Sequence, residues 1–258
     1  MIMNRPNQTV SLALSRAAKA AGTMFALASL LCLAPAAHAN LIVNGSFESV
    51  TVNNAQLGYN STATGWSTSG YNFVFQSGSA DTIGATGQYG NLKLWGPGDG
   101  SANGLPASSP DGGNYLAADG AFQVSPITQT LTNLTQGAKY TVSFWWAGAQ
   151  QSGFTGATTD QWQVGFGAQT QSTAVVSLPS HGFSGWVQQV FTFTADGTSD
   201  VLSFLAIGTP SGVPPFALLD GVTVNAATPE PGTCLLMFSG LLAGAGVLRR
   251  KQRSQTKR

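Results

Sequence analysis

Short runs rich in β-branched and aromatic residues recur throughout residues 40–227, and they limit the fold more than any other feature of the chain. Gly, Pro, Asn and Asp separate these runs, as expected where strands end in turns. None of this region has the apolar periodicity of an amphipathic helix. The sequence therefore predicts an all-β protein, an antiparallel β-sandwich or barrel. The predicted strands are residues 40–47, 71–76, 91–96, 121–131, 139–148, 161–166, 172–178, 186–195, 201–207 and 217–224.

The run KYTVSFWW, residues 139–146, shows the alternation of a half-buried strand. Every second residue from Tyr140 to Trp146 is apolar, and Thr and Ser lie between them, so the two sets face opposite ways. We expect Trp146 in the core and Trp145 on a polar sheet face. There Trp145 either stacks on a sugar or is covered by a second layer. Residues 96–120, in contrast, are predicted to form a long loop because they are polar and rich in Gly.

Charge and cysteine content exclude several classes of function. Residues 40–227 carry nine carboxylates against two lysines and no arginine, a net charge near −7. Nucleic-acid binding is therefore not expected, because neutralising phosphates needs Lys and Arg. No Cys lies in this region, so no disulfide can stabilise it. About 188 residues are enough for a single hydrophobic core without one.

Catalysis finds little support in the sequence. A Ser or Cys nucleophile usually needs a His base, and His181 is the only His in residues 40–227, with no Gly-x-Ser-x-Gly turn beside it. Zinc would need three or four His, Cys or carboxylate ligands. We therefore predict that the protein is not an enzyme and has no catalytic residues. A glycoside hydrolase, which needs two carboxylates, is the less favoured alternative.

The two ends of the chain predict export. Arg5, Arg16 and Lys19 precede a short apolar run that leads to Ala-His-Ala at residues 37–39, the pattern of a cleaved signal peptide. We assign residues 1–39 to this signal peptide and export to the Sec pathway. Residues 40–227 then form the exported domain.

The C-terminal segment, residues 228–258, combines three features in order. Pro229, Glu230 and Pro231 are followed by a charge-free stretch at 233–248 and then by a basic tail at 249–258. Sixteen helical residues reach ~24 Å, a short transmembrane helix. The basic tail predicts a cytoplasmic end, with the domain outside.

This order of features resembles the PEP-CTERM sorting signal of Gram-negative bacteria. The resemblance implies that a membrane-embedded exosortase recognises Pro229, Glu230 and Pro231 and processes an inner-membrane intermediate. The protein would then reach the cell surface or extracellular matrix, with a link to exopolysaccharide and biofilm. A plain C-terminal membrane anchor is the alternative.

Four segments of the exported domain resemble galactose-binding-like jelly rolls, a group that includes carbohydrate-binding modules. They are NLIVNGSFE at 40–48, Gly65-Trp66, AKYTVSFWWAG at 138–148 and FALLDGVTV at 216–224. The resemblance implies a jelly-roll β-sandwich whose ligand is a carbohydrate. It also implies a structural calcium where the terminal strands meet, with Glu48 and Asp220 as metal ligands.

The chemistry of these two residues suits calcium. Glu48 is the only Glu of residues 40–227, and Asp220 follows apolar Ala-Leu-Leu, where an unpaired carboxylate would be costly. Calcium would offset that cost, since it prefers oxygen ligands. Hydrogen-bonded carboxylates without a metal are the alternative.

Two functional hypotheses follow for the exported domain. The first is a non-catalytic module that binds polysaccharide or matrix components, with aromatic rings stacking on sugars. Its candidate carbohydrate-binding residues are Trp66, Tyr89, Trp95 and Trp145, each with burial in the core as the alternative. The second is a structural surface protein that self-associates through its polar sheets without a small ligand.

Overall fold

Residues 40–227 form a β-sandwich in the computed structural model, which describes these residues of the chain. The predicted signal peptide, residues 1–39, and the predicted sorting segment, residues 228–258, lie outside the described residues. A short 3-10 helix, Pro97–Asp99, is the one helix of the described region. In residues 40–227, no helix has the length and apolar character needed to cross a membrane.

Two sheets make up the sandwich. In chain order the strands are β1 (Ala55–Gln56), β2 (Asn72–Phe75), β3 (Ala85–Gly87), β4 (Gly90–Leu92), β5 (Tyr115–Asp119), β6 (Ile127–Thr132), β7 (Lys139–Gln150), β8 (Thr158–Phe166), β9 (Gln169–Ser172), β10 (Val176–Leu178), β11 (Val187–Thr194), β12 (Ser199–Thr209) and β13 (Pro215–Ala226). The larger sheet has the order β11-β7-β13-β5-β2-β1-β3-β4. The smaller has the order β10-β8-β12-β6, with β9 also paired to β8. Named strands pair antiparallel, apart from β1 with β3.

Most predicted runs contain a strand, but two expectations were wrong. Residues 40–47 form turns, with positive φ at Asn44 and Phe47. Residues 115–119 of the predicted loop form β5, which is buried along its whole length. Because β5 lies between β13 and β2 and is covered on both faces, its sequence lacks the alternation that marks a half-buried strand.

The main core lies between the two sheets. The alternation predicted for β7 is confirmed: Tyr140, Val142, Phe144 and Trp146 point into this core and pack with β8 and β12 residues such as Phe204. Burial of such aromatic and aliphatic side chains is the main stabilising contribution in a sandwich of this type. The opposite face of β7 carries Thr, Ser and Trp145 in half-buried positions.

A second apolar cluster covers part of the outer face of the larger sheet. Phe73, Phe75, Tyr115 and Phe216 alternate along their strands with residues of the main core, and therefore point away from it. Residues from the segment between β2 and β5 pack over them, including Leu94 and the 6% exposed Leu105. Part of the long segment between β2 and β5 thus covers the outer face of the larger sheet.

The N-terminal segment is held against β13. Leu41 N donates to Val224 O at 2.9 Å, and Val222 N donates to Gly45 O at 3.0 Å. The register of β13 against β7 shifts between Asp220 and Thr223, a β-bulge. This contact brings the residues after Gly45 next to the bulge of β13.

Candidate functional site

A cluster of carboxylates lies at the bulge of β13. Asp220 has 0% exposure; Ser109 Oγ donates to its Oδ2, and its Oδ1 has no hydrogen-bond partner in the described protein. The pKa of Asp220 is raised to about 8, mainly by burial; hydrogen bonds from Ser109 and the Gly221 N–H lower it, and the nearby Asp111 and Glu48 carboxylates add to the rise. A buried carboxylate with a free oxygen is costly unless a cation or proton compensates it.

The loop before β5 brings the remaining members of this cluster. Ser46 Oγ donates to Asp111 Oδ2 at 2.5 Å, and Asn114 N donates to Glu48 Oε1 at 2.6 Å. Asp111 N in turn donates to Ser109 Oγ at 3.0 Å. Glu48 and Asp111 both lie close enough to Asp220 to raise its pKa, so the fold places Glu48 near Asp220 and adds Ser109 and Asp111, which the sequence did not single out.

The oxygen atoms of the cluster are of the type that a hard cation such as calcium prefers, but the number of carboxylates around one point is small. In the described range, no group of three or more His, Cys, Asp or Glu residues is arranged to hold a metal ion. Calcium, however, also accepts hydroxyl, main-chain and water oxygens. The free Oδ1 of Asp220 and the Ser109 hydroxyl are oxygens of the required kind.

Trp145 lies beside this cluster on the outer face of the larger sheet. It is the cross-strand neighbour of Asp220 on one side and of Gln188 on the other. Further along the same face, Ser143 and Thr223 hydroxyls are hydrogen bonded at 2.7 Å. The expected polar face around a half-buried Trp145 is therefore present.

Tyr89 belongs to an exposed aromatic platform, which we define as Tyr89, Phe122 and Tyr71. Tyr89 is 64% exposed, Phe122 is 41% exposed, and the Tyr71 ring is buried beneath them. The ring centroids lie 5.6 Å apart for Tyr89 and Phe122, 5.9 Å for Tyr71 and Tyr89, and 5.3 Å for Tyr71 and Phe122. Tyr89 and Phe122 are inclined at 62°, so they form an angled surface.

Amide groups border the aromatic platform. Gln123 Nε2 donates to the Tyr89 hydroxyl at 2.9 Å, and Gln88 Nε2 donates to Gln123 Oε1. Below Phe122, Asp119 Oδ1 accepts the main-chain N–H of residues 121 and 122, while Oδ2 has no partner in the described protein. The platform thus combines apolar ring faces with amide donors and acceptors at its rim.

The other two aromatic candidates are less available to a ligand. Trp66 is 7% exposed, its Nε1 donates to Asn44 O at 2.9 Å, and its ring packs on Phe47 and Phe204, the core placement considered as its alternative. Trp95 is half-buried and stacks on His181, with centroids 3.9 Å apart. One face of Trp95 is therefore occupied by the imidazole.

His181 is held by hydrogen bonds to Thr155 and Gln150. Its Nε2 lies 3.3 Å from the Thr155 hydroxyl, and its main-chain N–H donates to Gln150 Oε1 at 2.6 Å. The neighbouring Ser180 Oγ accepts the Gly156 N–H at 3.0 Å. None of these three hydrogen bonds pairs the imidazole with a Ser hydroxyl, the arrangement that activates a Ser nucleophile.

Comparison with known proteins gives similarity in structure alone. No model of a protein family matches the chain, and no curated protein matches its sequence. TmCBM61 in complex with beta-1,4-galactotriose is 16% identical, with 73% of this chain and 99% of that chain covered and a TM-score of 0.40.

Two further solved structures have similar values. The CBM22-1 xylan-binding domain of Paenibacillus barcinonensis Xyn10C is 15% identical, with 76% and 100% covered and a TM-score of 0.38. The K2 cleaved adhesin domain of Lys-gingipain is 14% identical, with 75% and 100% covered and a TM-score of 0.38. Because these TM-scores are below 0.5, the assignment of a β-sandwich rests on the sheets of this chain.

Proposed function

We propose that residues 40–227 form a non-catalytic carbohydrate-binding domain of the galactose-binding-like jelly-roll type. The observation that carries this proposal is the aromatic platform, where the exposed rings of Tyr89 and Phe122 lie 5.6 Å apart beside the amides of Gln88 and Gln123. Sugars present apolar C–H faces and hydroxyl rims, so rings and planar amides complement both.

The charge of the domain favours a neutral glycan. Two lysines are the only cationic side chains against nine carboxylates in residues 40–227, and Lys93 lies 3.9 Å from Asp99. A polyanionic glycan would meet net repulsion from a domain in which acidic side chains outnumber basic ones to this extent. The 62° angle between Tyr89 and Phe122 also suits a single chain better than a flat crystalline surface, which would need coplanar rings.

Replacing Tyr89 with alanine is expected to weaken binding of residues 40–227 to a neutral polysaccharide by about tenfold or more, because stacking area is lost. Affinity electrophoresis through gels that contain β-1,4-galactan, xylan or other neutral polymers measures the effect. Phe122→Ala should act in the same direction. Tyr59→Ala is the matched control, since Tyr59 is 61% exposed and forms no aromatic pair within residues 40–227. Unchanged mobility of the wild-type domain in every gel would contradict the proposed function.

We also propose that Asp220 and Glu48 help to hold a structural calcium. At a calcium concentration a hundred times Kd, we expect about 2.7 kcal/mol of added stability, a rise in Tm of about 5–10 °C. Asp220→Asn should abolish this rise, whereas Asp196→Asn, at an exposed turn, should retain it. Thermal unfolding with calcium and with EDTA makes the comparison. An equal Tm in both buffers for the wild-type protein would rule out a calcium site of this affinity.

The remaining parts of the proposal concern sorting, and their support is the sequence alone. Export through the Sec pathway, exosortase processing at Pro229, Glu230 and Pro231, and delivery to the surface or matrix follow from the segments at the two ends. Mass spectrometry of the secreted protein would test this directly. Processing predicts a C-terminus near residue 231, whereas a plain anchor predicts retention of residues 233–258.

A further inference from the structure

Strand β11 is an open edge of the larger sheet. It pairs with β7 in a continuous register from Val187 to Thr194, and within residues 40–227 no strand pairs with its other side. The strands at the other ends of the two sheet orders are shorter or covered. Strands β4 and β10 have three residues each, and Thr128 of β6 exchanges main-chain hydrogen bonds with Ser67. Strand β11 therefore presents the longest open edge in the described part of the chain.

Glutamine side chains of β9 cover one end of this edge. Gln169 Nε2 donates to Thr194 O at 2.5 Å, and Thr194 N donates to Gln169 Oε1 at 3.2 Å. Gln171 Nε2 donates to Thr192 O at 2.8 Å. Because the main-chain groups of every second residue in a strand point to the same side, those of residues 188 and 190 also point away from β7.

The other end of the edge has no such cover. Among the described residues, the N–H groups of Gln188 and Val190 have no hydrogen-bond partner, and Val190 O accepts only from the adjacent Gln189 Nε2 at 3.2 Å. Val190 is 52% exposed and Val187 is 48% exposed. Edge strands are usually kept from pairing by Lys, Pro or a bulge, and residues 187–194 contain none of these. This end of β11 is therefore free to pair with another strand.

Charge favours a second copy of the domain as the partner. Residues 40–227 carry nine carboxylates and two lysines, so two copies repel each other in most orientations. Residues 183–195, which include β11, have no charged side chain, and neither has β9. Two copies can therefore approach along this strand without bringing carboxylates of either strand together. A basic partner, in contrast, would gain no charge attraction from this edge.

We propose that β11 pairs antiparallel with β11 of a second copy, across a two-fold axis at Val190, so that the two larger sheets form one continuous sheet. A two-fold contact needs a self-complementary patch, and this register supplies one. The two Val190 residues face each other and exchange their main-chain hydrogen bonds, while Gln188 of each copy lies opposite Thr192 of the other. The exposed valines form an apolar pair at the centre of the contact.

This pairing is independent of the proposed carbohydrate binding and compatible with it. Tyr89 lies between β3 and β4, at the opposite end of the strand order from β11. The aromatic platform therefore stays free in both copies. A dimer of this kind carries two platforms, so its avidity for a polymer exceeds the affinity of one domain.

Cysteine cross-linking tests the register. Residues 40–227 contain both sheets and both apolar clusters but no Cys, so Val190→Cys introduces a single thiol at the two-fold axis. Hydrogen-bonded residues of antiparallel strands have Cα atoms about 5.5 Å apart, within the range of a disulfide. Mild oxidation should therefore yield a covalent dimer. Val201→Cys is the matched control and should cross-link several-fold more slowly, since Val201 is 46% exposed but lies on β12, between β6 and β8.

Sedimentation velocity of residues 40–227 tests the association itself. The wild type should shift from monomer to dimer as its concentration rises. Val190→Glu is expected to weaken dimerisation by about tenfold or more, because two carboxylates would face each other across the axis. Val201→Glu should dimerise as the wild type does, and circular dichroism checks that both variants are folded.

Three results would overturn the pairing. They are a wild-type domain that stays monomeric at every concentration, a Val190→Cys variant that cross-links no faster than Val201→Cys, and a folded Val190→Glu variant that dimerises like the wild type. The first would leave the edge open to an extended segment of a different chain. Retardation by polysaccharide is measured separately, so failure of the pairing and failure of the carbohydrate function are distinguishable.

Discussion

Asp160→Asn is expected to remove a large part of the pH dependence of folding stability. Asp160 lies on β8 with 0% exposure, and neither carboxylate oxygen has a partner in residues 40–227. Burial raises the pKa of Asp160 well above its usual value, and the nearby Asp119 carboxylate adds to this effect. An uncharged, nearly isosteric amide at this position has no charge to bury at any pH.

The sign of the effect follows from proton binding. Below the unfolded pKa near 3.8, folded and unfolded chains both carry the proton, and Asp160 adds no pH dependence. Above it, only the folded chain keeps the proton, so wild-type stability falls as pH rises, by about 1.4 kcal/mol per pH unit for one such group. Asp119, whose pKa burial raises to about 6, contributes in the same direction between pH 4 and 6.

Urea unfolding of the wild type, Asp160→Asn and Asp119→Asn at several pH values from 4 to 8 measures these slopes. The difference in the free energy of unfolding between Asp160→Asn and wild type should grow in favour of the variant beyond pH 6. For Asp119→Asn the corresponding growth should stop near pH 6. Parallel curves for wild type and Asp160→Asn across this range would contradict a buried, unpaired carboxyl group.

Gly120→Ala is expected to destabilise the domain by about 3 kcal/mol or more, because the added methyl group meets main chain that has no room to move. Its Cβ would lie 2.5 Å from Gly208 N and 2.7 Å from Ile207 C. Gly120 follows β5 of the larger sheet, and its carbonyl accepts the N–H of Gly208 on β12 at 2.9 Å. The main chains of the two sheets are in direct contact at this point. An added methyl group would therefore push the end of β5 away from β12.

Gly212→Ala provides the matched control for this substitution. Gly212 has no atom within 4 Å of an added Cβ, so the same change there should be neutral or add about 0.4–1 kcal/mol. Denaturant unfolding of the two variants gives the comparison. Equal stabilities would show that the contact between β5 and β12 can open at little cost.

The long half-buried strands could be predicted from the sequence because their environment differs between the two faces. In β7 the period of two separated Trp146 in the core from Trp145 outside it, as expected. Strand β5 escaped prediction since both of its faces are covered, which removes the alternating signal. The turns at residues 40–47 were missed because their apolar residues match a strand pattern, although Asn44 and Phe47 adopt positive φ.

For the candidate sites, too, some residues could be predicted from the sequence and others could not. The resemblance to galactose-binding-like modules implied Glu48 and Asp220 as a pair, and main-chain hydrogen bonds join the N-terminal segment to β13. Ser109 and Asp111 lie in a polar, Gly-rich loop whose composition is typical of a solvated turn. Phe122 lies in the bend after β5 and pairs with Tyr89, a residue distant in sequence, so no local pattern marks it.

By itself, the sequence determined the all-β class, the alternation of the longest strands, the acidic composition of residues 40–227 and the segments that predict export. Each of these depends on composition or on spacing within a few residues, which a chain carries whatever its final fold. Only the tertiary structure decided that Trp66 is buried while Tyr89 is exposed, and that Asp220 lies enclosed beside Ser109, Asp111 and Trp145. Exposure and neighbourhood depend on contacts between residues far apart in the chain, and packing of the two sheets sets those contacts.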